Sequence, residues 1–117
     1  MTEKLADLLN RLTVLTNQGK IKWEETAKRG FYQYSFPSYT VQIGEDPDED
    51  PNFRYVLRVI NNNNVVMEQV TPSDLQPHIF NAFDVMRELH VNAKREALGT
   101  EKALDDILLL LKEKEGK

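Results

Sequence analysis

No cysteine occurs among the 117 residues, so thiolate zinc sites, iron–sulfur clusters and thiol catalysis are excluded. Glycine is scarce and scattered, with five in the chain. It forms no phosphate-cradling loop, and no G-x-S-x-G elbow is present. Histidine is limited to His78 and His90, and neither an H-x-x-x-H nor an H-E-x-x-H pairing occurs. The acidic pairs Glu24-Glu25 and Asp105-Asp106 are sequence neighbours, which diverge on a strand or helix and make poor acid/base couples. The expectation is a chain with no catalytic residues, no metal and no cofactor, and no small-molecule ligand is inferred. No apolar run approaches ~18 residues and no signal-peptide pattern opens the chain, so a cytosolic, non-membrane protein is expected. Cations are also in deficit, with 15 Lys and Arg against 19 Asp and Glu for a net charge of −4. Affinity for phosphate backbones comes from counterion release at a basic surface, so nucleic acid is disfavoured.

What is present is one domain's worth of amphipathic elements, spanning residues 1–117. The central stretch, FRYVLRVINNNNVVMEQV from Phe53 to Val70, reads as a β-hairpin, because Asn tolerates the left-handed backbone of a tight turn. A two-residue turn at Asn62 and Asn63 sets Val59 opposite Val66, Leu57 opposite Glu68 and Tyr55 opposite Val70. Tyr55, Leu57, Val59, Val66 and Val70 then share the core face. The other face, with Arg54, Val56, Arg58, Ile60, Val65, Met67 and Gln69, is mixed.

Before this hairpin, Leu5, Leu8, Leu9, Leu12 and Leu15 recur at helical steps and predict a helix over 3–17, capped by Thr2 and closed by Gly19. Ile21 and Trp23 alternate with polar residues in a short strand or extended connector. Trp23 reads as a core anchor in preference to a binding-site aromatic. FYQYSFPSYTVQIG predicts a second hairpin. A turn at Pro37 and Ser38 sets Tyr32 opposite Ile43, Tyr34 opposite Val41 and Phe36 opposite Tyr39. Since Pro suits ordinary turns better than primed ones, a longer or bulged loop is the alternative. The segment EDPDEDPN, 45–52, carries the D-x-D-x-D spacing of a calcium loop. Pro51 stands where such a loop needs glycine, and Leu57 where it needs a bidentate Glu, so a solvated acidic loop is expected.

Beyond the central hairpin, Thr71 and Pro72 start a short turn, and a main helix is expected over 77–98. Ile79, Phe83, Met86, His90, Ala93 and Ala97 form its stripe, widened by Phe80, Ala82 and Leu89. Gly99 ends it and Thr100 caps a last helix. Leu104, Ile107, Leu108 and Leu111 make one face of that helix, while Leu109 and Leu110 fall outside it. The fold class is therefore α+β: an N-terminal helix, a four-stranded antiparallel meander, and two C-terminal helices packed on the sheet.

The leucine helix, GKIKWEET, YTVQI, YVLRVINNNN and the closing ALDDILLLL together resemble a family of small prokaryotic and phage-encoded hypothetical proteins. That resemblance spans nearly the whole chain. It implies a compact cytosolic α+β domain and brings no activity or catalytic residues with it.

Two functional expectations follow from surplus surface. Val56, Ile60, Val65 and Met67 on the hairpin, with Leu109 and Leu110 on the last helix, offer apolar area for a protein partner or a homodimer, as in an adaptor or inhibitor. An inhibitor could alternatively present the acidic residues 45–50 to a basic cleft. The alternative is a nucleic-acid-associated regulator whose patch combines Lys20, Lys22, Lys28 and Arg29 with Arg54 and Arg58, the last two on one strand face.

Overall fold

The computed structural model describes residues 2–116. Its elements in chain order are α1 (Thr2–Asn17), β1 (Glu24–Glu25), β2 (Phe31–Ser35), β3 (Tyr39–Glu45), α2 (Pro51–Arg54), β4 (Tyr55–Asn61), β5 (Val66–Val70), α3 (Pro72–Leu75), α4 (Ala82–Leu98) and α5 (Thr100–Glu115). The class is α+β, as the periodicities indicated. The sheet has five antiparallel strands in the order β1-β2-β3-β4-β5, one more than expected, because Glu24 and Glu25 pair with Gln33 and Tyr32.

One face of the sheet is closed by helices. α4 runs over β1 to β4 with α1 and α3 beside it. Leu9, Ile43, Leu57, Leu75, Met86 and Leu89 are fully buried between these layers, each such burial being worth roughly 1.5–3 kcal/mol. Trp23 is buried among them and its indole Nε1 donates to Thr16 Oγ1 at 2.9 Å, so it is the anchor that its setting suggested. Gly19 ends α1 in the left-handed conformation, φ 71°, with Lys20 N donating to Leu15 O at 2.9 Å. Thr71 and Asp74 form a reciprocal capping box at α3.

The β2–β3 hairpin has the expected register, Tyr32 with Ile43 and Tyr34 with Val41. Phe36 N donates to Tyr39 O at 2.7 Å across the turn. The β4–β5 register differs: Leu57 pairs with Val70 and Val59 with Glu68, and Ile60 pairs with Val66. The Asn61 carboxamide causes this by accepting from Asn63 N and Val65 N, both at 3.0 Å. The turn is thereby longer than two residues, with Asn64 at φ 64°. Met67 becomes the extra residue of a β-bulge, and Val66 moves off the core face.

Three further expectations are corrected. Phe53 and Arg54 belong to the one-turn helix α2, so Arg54 does not share a strand face with Arg58. The main C-terminal helix starts at Ala82 rather than 77, because residues 76–81 form turns. Ile79 is still buried there, whereas Phe80 is 96 % exposed. Finally, α5 is not packed on the sheet: none of its residues is buried. It lengthens the molecule to 60 × 31 × 27 Å with a radius of gyration of 16.4 Å, against about 13 Å for a compact domain of this size.

Candidate interaction surface

The most unusual surface of this protein is α5. It forms for local reasons. Gly99 at φ 66° turns the chain out of α4, and strong helix formers follow. Lys102 pairs with Asp106 one turn on at 3.0 Å, and Lys112 and Lys114 lie in the last turn, where cations favour the dipole. Leu104, Ile107, Leu108, Leu109, Leu110 and Leu111 are each between 48 % and 63 % exposed. A lone helix of this length is marginal in water and ordinarily owes its stability to a packed apolar face. In α5 the face is present and its cover is not supplied by the other described residues.

The hairpin residues expected to join this surface are elsewhere and divided among themselves. Val56 and Ile60 lie on the face of the sheet opposite the helices, where Val56 is half-buried and Ile60 is 7 % exposed. Polar rows accompany them: Gln42 donates to Gln33 at 3.2 Å and Arg58 Nε to Gln69 at 2.8 Å. Val65 and Met67 are exposed, at the turn and on edge strand β5. Leu109 and Leu110 are brought together with four other aliphatic residues that spacing had assigned to a covered face.

The six cations of the alternative patch do not converge. Lys28 Nζ and Arg58 Cζ stand 4.4 and 4.6 Å from the Phe31 ring centroid. Together with Arg29 they line a cleft of about 540 Å³, which also holds Glu45, Asp46 and Glu49. Arg54 is held away by Nη2 donating to Glu49 O at 3.3 Å. Lys22 pairs with Glu96 at 3.2 Å near the end of α4, and Lys20 follows the α1 cap. In the acidic loop, Asp46 Oδ1 accepts from Asp48 N at 3.1 Å. Among the described residues no group of three or more His, Asp or Glu side chains converges to hold a metal ion.

A second cleft, about 720 Å³, lies between α4 and the loop before β2 and includes Tyr32, Glu45, His90 and Lys94. His90 is buried, and its Nε2 donates to Gly30 O at 2.9 Å. The rings of Tyr32 and Tyr55 both lie 5.5 Å from the imidazole. Burial pushes the His90 pKa down, partly offset by that hydrogen bond and by Glu45. Burial, reinforced by Glu45, pushes the Tyr55 phenol up. Tyr32 is raised in the same way, with Glu25 the nearer carboxylate in effect. All three shifts favour the neutral forms of these groups.

Sequence reading missed two side chains of note. Phe31, on the open sheet face, is buried because its ring fills the space above Gly44, where a β-carbon would collide with it; a glycine within a strand was the available signal. Phe80 was assigned by its spacing to the helix stripe and instead stands in solvent. Among the described residues no helix is long and apolar enough to cross a membrane. Compared with family models, curated proteins and solved structures, the chain matches none of them.

Proposed function

We propose that this chain is a non-enzymatic protein-interaction module whose docking element is α5. The observation that carries the reading is the row Leu104, Ile107, Leu108, Leu109, Leu110 and Leu111, exposed on a helix with no buried residue. Contiguous apolar surface of several hundred Å² on a soluble protein marks an interaction site. A helix that presents such a surface offers anchors at consecutive turns for a groove or for another helix. Val65 and Met67 supply a smaller exposed apolar area on the hairpin. The nucleic-acid alternative finds less support, because the three cations that do gather share their cleft with three carboxylates.

Backbone hydrogen exchange tests the reading. Amides of residues 104–111 should be protected, either in the purified protein or when it is diluted into an extract of its source cells. Exchange at the unprotected rate in both settings would remove α5 as a docking element.

A further inference from the structure

We infer that the partner of α5 is a second copy of the same helix, packed antiparallel about a twofold axis between Ile107 and Leu108. The inference rests on the interaction-module reading and names its occupant.

At 100° per residue, Leu104, Ile107, Leu108 and Leu111 project on one side of α5. That set is symmetric about the midpoint of Ile107 and Leu108. In an antiparallel pair centred there, Leu104 meets Leu111 of the second copy and Ile107 meets its Leu108, so no apolar position falls opposite a charge. A twofold axis of this kind also brings the same flank of each helix together. On one flank lie Glu101, Asp105 and Lys112. In this register Lys112 stands level with position 103 of the second copy, between its Glu101 and Asp105. The arrangement occurs twice by symmetry. On the other flank Leu110 and Lys114 both fall beside Ala103 of the second copy, so that side sets no like charges together.

The ion pairs within one copy leave these groups available. Lys102 bonds Asp106 on the outer side of the helix. Among the described residues, Glu101, Asp105 and Lys112 make no salt bridge. A parallel pair would instead join unlike flanks, setting Lys112 between Leu110 and Lys114 and Asp105 beside Ala103, with no attractive charge pair. Antiparallel pairing also opposes the two helix dipoles. The apolar seam from Leu104 to Leu111 is only about 10 Å long, far shorter than a standard interface demands, so the dimer should dissociate in the micromolar range.

Sedimentation of the full chain across the micromolar range, combined with a charge exchange, tests this. The wild-type chain should pass from monomer to dimer with rising concentration, and Leu108→Glu should stay monomeric with the thermal unfolding of the dilute, monomeric wild type. Lys112→Glu alone, or Glu101→Lys with Asp105→Lys, should weaken self-association about tenfold. Mixing those two variants should restore dimers, since every flank contact then becomes attractive. A strict monomer with 104–111 protected only in extract would overturn the second copy as partner and leave the module reading standing. Assemblies larger than two, or a mixture that fails to recover, would overturn the antiparallel pairing itself.

Discussion

His90 Nε2 lies 2.9 Å from the carbonyl oxygen of Gly30, tying the middle of α4 to the loop that enters β2. A carbonyl only accepts, so Nε2 carries the proton in the neutral ring. The groups facing the ring are Tyr32, Tyr55 and Glu45 from the sheet and Lys94 from α4. Burial holds the folded pKa below the ordinary 6.5, so the unfolded chain takes up the proton first. Stability is therefore complete above about 6.5 and is lost as pH falls through the lower folded value. Denaturant midpoints measured against pH should show that slope in the wild type. His90→Gln, which can still donate to Gly30, should flatten it.

Gly44 and Phe31 occupy one space on the open face of the sheet. Gly44→Ala should cost about 1–3 kcal/mol by forcing the ring aside. In a Phe31→Ala background the same change should be close to neutral, because the obstruction is gone. A double-mutant cycle in urea measures the coupling. Independent, additive costs would mean that the two residues do not compete for space.

Truncations should separate body from arm. Leu57→Ala or Leu89→Ala, each at a fully buried side chain, should lose about 2–5 kcal/mol. Leu109→Ala should change thermal stability by no more than about 0.5 kcal/mol, since nothing in its own protomer buries it. A large loss at position 109 would show that α5 docks on the body in solution.

Trp23→Phe keeps an aromatic ring in the core and removes the donor to Thr16. The expected loss is about 2–3 kcal/mol, from the cavity left by the smaller ring together with the lost hydrogen bond. Thr16→Val in the same background should add little. Chemical denaturation followed by far-ultraviolet circular dichroism reads both.

Much of the fold was legible where one physical signal acted alone. The leucine steps of α1 and the inside/outside alternation around Pro37 and Ser38 were the clearest signals, and the observed elements follow them. The β4–β5 register was not legible, because it depends on one side chain, the Asn61 carboxamide, bonding two backbone amides beyond it. Four consecutive asparagines offer several such turns, and alternation alone cannot choose among them. Similarly, the stripe from Ile79 onward is consistent with an earlier helix start, yet 76–81 turns and carries Phe80 outward. Of the candidate surface, the excess at Leu109 and Leu110 was visible in the helical pattern. That Leu104, Ile107, Leu108 and Leu111 are equally uncovered was not, since a periodic apolar face looks the same whether its cover comes from within the chain or from outside.

The link between α4 and α5 is a single residue, Gly99, and a β-carbon there would meet nothing within 4 Å. In the paired form each body would hang from its own end of a common rod. Any weak contact that one body makes with a larger target could then be made twice by the same assembly. The second engagement would proceed at the high effective concentration set by the rod's length, so avidity rather than single-site affinity would govern how long the pair stays bound.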